Sequence, residues 1–131
     1  MGKYVFPAVF EKEDAGYSVS FPDIEGCYTC GEGLAEAMNM AEDALALMLL
    51  HMEKEKKPIP EASALKDIQT SGDAFASYIS CDTLEYDKKY STRAVKKTLS
   101  IPEWLNEAAI AAGVNFSQTL QDALKAQLNI A

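Results

Sequence analysis

The sequence predicts an α+β fold in which a small antiparallel sheet and a long helix are followed by a separate strand–helix–helix segment. Three observations support this prediction: short aromatic and β-branched segments near the N-terminus, one long segment with helical spacing, and a second strand-to-helix pattern near the C-terminus. The chain has 131 residues, of which 48% are hydrophobic and 24% are charged. This composition indicates a globular protein with one ordinary domain or two small ones.

Four segments have strand character. The first three, Tyr4–Phe10, Tyr17–Phe21 and Cys27–Cys30, are separated by short polar or Gly/Pro-containing turns, which favour an antiparallel meander. Pro7 lacks a backbone N–H and therefore suits a sheet edge or a bulge. Ser77–Tyr86 is predicted to add a fourth strand.

A long helix is predicted between the third and fourth strands. Its apolar side chains recur every three or four residues, and Pro58 prevents its continuation. Residues 58–76 read as a loop. The apolar stripe consists of Leu34, Met38, Ala41, Leu45, Met48 and Met52, widened by Ala37, Ala44 and Leu47.

The last segment begins with a predicted strand, Val95–Ile101, and continues into two helices. Pro102 suits a helix start, and Gly113 suits a helix end. Asn115, followed three residues later by Gln118, is the pattern of a capping box at the start of a second helix that runs to about residue 128. The predicted domains are therefore residues 1–86 and 95–131, joined by a polar linker over 87–94.

A strand and two short helices are too small to enclose a core alone, because folds below about 40 residues generally need disulfides, metals or a partner. The segment from residue 93 has no Cys and no His, so a homodimer is predicted. Two paired strands would then present Lys96, Thr98 and Ser100, and such a ribbon fits the major groove of DNA. The predicted dimer core consists of Leu99, Ile101, Trp104, Leu105, Leu120 and Leu124.

Charge is distributed unevenly along the chain. Residues 1–92 contain 8 lysines and 17 acidic residues, a net charge of −9, whereas residues 93–131 carry a net charge of +1. Arg93, Lys96 and Lys97 cluster at the entrance of the second segment. This division predicts a basic partner for the first segment and contact with phosphate for the second.

The order of strand, Pro102, helix, Gly113, Asn115-x-Ser117 and helix resembles the ribbon-helix-helix repressor family. The resemblance implies base readout of double-stranded operator DNA by Lys96, Thr98 and Ser100. It also implies that Asn115, Phe116 and Ser117 hold a backbone phosphate at the helix start. Lys97 departs from the family pattern, because it lies on the same face of the predicted strand as the core residues Leu99 and Ile101. Together with Arg93 it is expected to contact phosphate.

The first segment is similar to HicB antitoxins of type II toxin–antitoxin systems. The matching positions are Gly16-Tyr17, Phe21-Pro22-Asp23, Gly26-Cys27, Thr29, Gly31 and Glu36-Ala37. The resemblance implies a partial RNase H-like βββαβ domain that neutralises a small RNA-cleaving HicA-type toxin. Together with the ribbon-helix-helix resemblance, it implies that the chain represses its own operon as a dimer. Whether dimers pair further into a tetramer or a larger toxin–antitoxin assembly stays open at this point.

Toxin-contacting residues do not form a fixed motif in that family. Exposure near the Phe21-Pro22-Asp23 loop suggests Tyr17, Phe21, Asp23 and Glu25 as toxin contacts.

Two alternative functions remain open at this point. One is a solitary ribbon-helix-helix regulator with an N-terminal sensor domain. The other is a metal-dependent RNase H-like nuclease, which would need carboxylates that converge on two metal ions. The acidic residues considered for that role are Asp14, Asp23, Glu42, Asp43 and Asp82, but the first strand contains no Asp.

The sequence predicts no catalytic residue, no metal site and no cofactor. Cys27-x-x-Cys30 has no second ligand pair, and strand residues three apart point to opposite faces. No apolar segment approaches the roughly 18 residues of a membrane span, and the N-terminus lacks the apolar core of a signal peptide. A cytoplasmic protein with reduced cysteines and no membrane partner is therefore expected.

Overall fold

The computed structural model describes residues 2–131, which divide into two compact units between Arg93 and Ala94. The first unit contains an antiparallel four-stranded sheet with the strand order β3-β2-β1-β4. A 21-residue helix connects β3 to the long loop before β4, and an 8-residue helix follows β4. The elements are β1 (Lys3–Glu13), β2 (Gly16–Ser20), β3 (Tyr28–Gly31), α1 (Leu34–Lys54), β4 (Phe75–Asp82) and α2 (Thr83–Tyr90).

One face of the sheet forms the core together with α1. Phe6, Ala8 and Phe10 alternate along β1, and their side chains are buried. Their neighbours in register share this face, so Phe10 lies opposite Val19 of β2 and Phe6 lies opposite Ile79 of β4. Alternation with period two thus places the apolar residues of three strands on the same side.

Pro7 lies in a central strand, whereas an edge or a bulge was expected. It pairs with Tyr78 of β4, but the ladder between β1 and β2 begins only at Val9. The strand therefore has one ladder neighbour at Pro7, and the missing N–H is tolerated because no β2 acceptor lies opposite it.

The long helix forms as predicted, but its buried face differs from the predicted stripe. Leu34, Met38 and Leu47 are exposed, whereas Ala46 and Leu50 are buried. Ala46 lies on the side of α1 that faces α2, a helix that the sequence pattern did not indicate. The core contribution of α1 is Ala37, Ala41, Leu45, Ala46, Leu49 and Leu50.

The predicted end of the fourth strand and the start of the predicted linker are both wrong. Residues 83–90 form α2, because the Asp82 carboxylate caps the helix by accepting hydrogen bonds from the N–H groups of Leu84 and Glu85 at 3.0 and 3.2 Å. The first unit therefore extends beyond residue 86. Before β4, residues 58–74 form the expected loop, which contains a single 3-10 turn at Leu65–Asp67.

The second unit consists of α3 (Glu103–Ala111) and α4 (Phe116–Leu128). Gly113 adopts a φ of +70°, and the Val114 N–H donates to the Ala109 carbonyl, which closes α3 at the expected glycine. The predicted strand over 95–101 is not formed, because these residues have no pairing neighbour within the described chain. Among residues 2–131, no helix combines the length and apolar character that a membrane crossing requires.

Candidate protein and nucleic-acid interfaces

The second unit has no core of its own. Every residue from Ala94 to Ala131 is exposed or only partly buried. The Leu99 side chain is 60% exposed and the Trp104 side chain 70% exposed, although apolar side chains of this size are normally covered. The predicted dimer-core residues Ile101, Leu105 and Leu124 are also exposed, and Leu120 is partly buried.

The start of α4 presents a capped helix N-terminus. The Asn115 side chain accepts a hydrogen bond from the Gln118 N–H at 3.0 Å, which confirms the predicted cap. The reciprocal bond of a capping box, from the Asn115 N–H to the Gln118 side-chain oxygen, is not formed, and the Gln118 side-chain amide donates to Asp122 at 2.9 Å. Phe116 and Ser117 form the first turn and are exposed, so the backbone N–H groups of this turn are accessible to an anion.

The proposed DNA-reading residues lie in the segment before α3. Lys96, Thr98 and Ser100 are exposed, as are the candidate phosphate contacts Arg93 and Lys97. None of these five side chains forms a hydrogen bond or ion pair within residues 2–131. They are therefore available to a partner.

The four suggested toxin contacts have different environments. Phe21 is only 3% exposed and belongs to the core, so its expected exposure is wrong. The loop folds back here: the Phe21 N–H donates to the Cys27 carbonyl, and the Ile24 N–H donates to the Phe21 carbonyl. Tyr17 is partly buried with its ring edge-on to Phe75, and of the four only Glu25 is exposed.

Asp23 has a structural contact that the sequence did not indicate. Its two carboxylate oxygens accept hydrogen bonds from the Ser63 N–H at 2.9 Å and the Ser63 hydroxyl at 2.6 Å. These bonds attach the loop after α1 to the turn after β2. Asp23 therefore stabilises the fold of the first unit, and its carboxylate is already engaged.

The described part of the first unit contains a larger and a smaller concave surface. The larger is a groove of about 790 Å³ between α1 and α2, and the smaller, of about 330 Å³, lies between α1 and the start of β3, next to Cys27 and His51. The groove between α1 and α2 was missed by sequence reasoning because α2 was read as strand and linker. Asp82 followed three residues later by Glu85 is the capping pattern that could have revealed it.

Metal and thiol chemistry find no support in the geometry. Within residues 2–131, no three His, Cys, Asp or Glu side chains are grouped closely enough to hold a metal ion. Cys27 is buried and Cys30 is exposed, so the two thiols lie in different environments. Burial raises the pKa of the Cys27 thiol to about 11, which keeps it protonated and unreactive near neutral pH.

The fold and these surfaces define a two-unit α+β protein with uncovered apolar side chains in its second unit and a groove in its first. The sequence profile described as "HicB_like antitoxin of bacterial toxin-antitoxin system" matches residues 6–123. The chain belongs to this family of HicB-like antitoxins. Because the family is one of antitoxins, the prediction of a non-enzymatic protein is confirmed.

Individual relatives agree with this assignment. The chain is 36% identical over 70 residues to Antitoxin HicB 2 of Photorhabdus laumondii, a match that covers 53% of this chain and 46% of that protein. The matched segments span about half the length of the curated relatives.

Solved structures extend the similarity to nearly the whole chain. A chain from a structure described as a toxin–antitoxin complex from Streptococcus pneumoniae is 31% identical, with a TM-score of 0.60, and the alignment covers 95% of this chain and 99% of that one. The structure described as Antitoxin HicB3 is 25% identical with a TM-score of 0.52, covering 98% and 99%.

Proposed function

We propose that this antitoxin neutralises a HicA-type RNA-cleaving toxin through its first unit and represses its own operon through dimers of its second unit. The observation that supports the dimeric repressor is the uncovered apolar surface of residues 94–131. A folded unit of this size with exposed Leu99, Trp104 and Leu124 needs a partner that buries these side chains. A second copy of the chain presents the same surface, so the two can pack symmetrically against each other.

Pairing of residues 95–101 between two copies would supply the ladder partner that a single chain lacks. The resulting ribbon-helix-helix dimer would bury Leu99 and Ile101 against four helices and expose Lys96, Thr98 and Ser100 to the major groove. The two α4 N-termini, capped by Asn115, would hold one backbone phosphate on each side.

The toxin-binding half is supported by relatives and by charge. The structural relative from S. pneumoniae, 31% identical to this chain, is described as a toxin–antitoxin complex. The order of three strands, a helix and a fourth strand is that expected of a partial RNase H-like domain. The net charge of −9 over residues 1–92 favours fast association with a basic RNA-binding protein.

A gel-shift titration with DNA from the region upstream of the gene tests the repressor function. Thr98→Ala is expected to weaken binding about tenfold by removing a base contact, while the dimer mass in light scattering stays unchanged. The matched control is Thr119→Ala, an exposed threonine of α4 that lies outside the predicted DNA contacts. Equal affinity of wild type and Thr98→Ala, or a monomeric wild type, would contradict the proposal.

Co-expression with a HicA-type toxin tests the antitoxin function. Wild-type protein is expected to restore growth and to co-purify with the toxin, because the acidic first unit would cover the toxin's RNA-binding surface. Failure of both readouts would reject toxin neutralisation as the function.

A further inference from the structure

The groove between α1 and α2 combines an apolar floor with an aromatic wall. Ala46 of α1 and Cys81 of β4 are buried at its base. Tyr86 and Tyr90 of α2 form the wall, with ring centroids 4.6 Å apart, and Tyr90 is 57% exposed. A groove of about 790 Å³ is large enough to receive several side chains of a partner.

The opposite wall carries carboxylates that have no cationic partner. Glu42 and Asp43 of α1 form no ion pair with any side chain in the described residues. The nearby cations are already in contact with α2 itself: Lys88 pairs with Glu85 at 3.3 Å, and the Lys89 ammonium lies 5.2 Å from the Tyr90 ring centroid. The α1 wall is therefore an acidic surface beside an aromatic one.

The carboxylates are close to the groove's interior. Glu42 and Asp43 line the groove together with Tyr86. Burial, followed by the negative charge of Asp43, raises the pKa of Tyr86. A lysine or arginine side chain suits such a site, because its aliphatic stem packs on apolar and aromatic surface while its charged end meets a carboxylate.

We propose that this groove is the docking site for a basic segment of the toxin, with a Lys or Arg side chain seated between Asp43 and the Tyr86–Tyr90 pair. The inference rests on the proposed antitoxin function, because a protein that binds RNA needs a cationic surface to hold the phosphates. A second copy of this chain is a poor occupant, since its own first unit carries a net charge of −9 and would be repelled.

Affinity for a catalytically inactive HicA-type toxin, measured by calorimetry with the full-length antitoxin, tests this docking site. The double variant Glu42→Lys/Asp43→Lys is expected to weaken binding by about 30-fold or more, because it places like charges opposite the toxin's cations. Tyr90→Ala leaves the charge unchanged and is expected to weaken binding about tenfold through loss of the aromatic contact.

The matched control is Glu11→Lys/Glu13→Lys, which changes the net charge by the same amount at exposed positions of β1. It is expected to alter affinity by no more than about threefold, the size of a long-range steering effect on the association rate. Dimer mass, circular dichroism and operator binding should be unchanged in all three variants.

The outcomes separate the docking site from the proposed function. If the wild-type protein does not bind the toxin, the antitoxin proposal itself is wrong. If the wild type binds but both groove variants retain its affinity, or if the groove and control reversals weaken binding equally, the docking site is wrong and the antitoxin proposal stands. A groove variant that changes the oligomeric mass without changing toxin affinity would assign the groove to a second copy and overturn the inference.

Discussion

Gly31 is a position at which β3 and α1 approach closely. A Cβ atom added there would lie 2.5 Å from the backbone nitrogen of Ala37, a residue that is fully buried. Backbone atoms of a packed helix cannot yield as the tip of a flexible side chain can. The lack of a side chain at Gly31 thus allows α1 to seat on the sheet.

Gly31→Ala is accordingly expected to lower the free energy of unfolding of the first unit by about 2–3 kcal/mol, the cost of overpacking a core. The control is Gly33→Ala in the same turn, where an added Cβ meets nothing within 4 Å and φ is −124°. It should cost less than about 1 kcal/mol as a helix-cap change. Urea denaturation followed by circular dichroism measures the free energy of unfolding of both variants. Equal losses of stability in the two variants would contradict the argument that β3 and α1 are in close contact at Gly31.

The buried thiols predict a dependence of stability on pH. Burial raises the pKa of Cys27 to about 11, and burial together with the charges of Glu42 and Asp82 raises that of Cys81 to about 12. An unfolded thiol ionises near pH 9, so above that pH the unfolded chain loses protons that the folded chain retains. The stabilisation is therefore complete below about pH 9 and decreases as the pH rises.

The urea concentration at the unfolding midpoint of the first unit is expected to be lower at pH 10 than at pH 8. At pH 8, iodoacetamide should modify the exposed Cys30 in the native protein, and should modify Cys27 and Cys81 only after unfolding. Mass spectrometry of the alkylated peptides identifies the sites. Rapid native modification of Cys27 would show that its thiol is not buried.

At the scale of single elements, α2 depends on the cap at Asp82. The helix has only eight residues, and helices this short are marginal without tertiary contacts. Tyr86 packs against the core cluster and Asp87 pairs with Lys54 of α1 at 3.0 Å. The cap and these contacts together hold the second wall of the proposed toxin groove.

Asp82→Ala is expected to cost about 1 kcal/mol, because two N–H groups of the first turn lose their acceptor. Asp82→Ser keeps an acceptor oxygen and should retain most of that stability. Hydrogen exchange of the Leu84 and Glu85 amides provides a local readout, since these amides should exchange faster only in the alanine variant. The same exchange rate in both variants would show that the cap does not hold the helix.

Elements with strong periodicity were predictable, and the element that depends on tertiary contacts was not. The sequence located α1 and α4 because both carry local signals. In α1 the signal is the helical spacing of apolar residues such as Leu45, and in α4 it is the Asn115 cap. It missed α2 because the alternation in 77–86 continues the strand pattern past Asp82. Phe21 was misplaced for a similar reason: Pro22-Asp23 signals a turn, but only the fold shows that this turn closes over an apolar side chain.

For the whole molecule, the second unit should fold only as it associates. Its stability is then expected to increase with protein concentration, by about 1.4 kcal/mol of dimer stability for each tenfold increase. The first unit, which has a core of its own from Phe6 to Cys81, should show no such dependence.

The single tryptophan makes these transitions separable. Trp104 lies in α3, so its fluorescence reports unfolding of the second unit alone. The fluorescence midpoint in urea is expected to shift with concentration, while the first-unit transition in circular dichroism does not. A fluorescence midpoint that is independent of concentration would contradict coupled folding and association.

The separate core of the first unit also bears on how such a protein can vary. Among residues 2–131, every buried residue lies within positions 6–83, so none is found in the second unit. Replacing the exposed side chains at 96, 98 and 100 therefore costs the sheet nothing in stability. Under the proposed function, the operator sequence that the second unit recognises would diverge between related operons without any change in the toxin-binding unit, and substitutions at these three positions would insulate two neighbouring systems in one genome from each other.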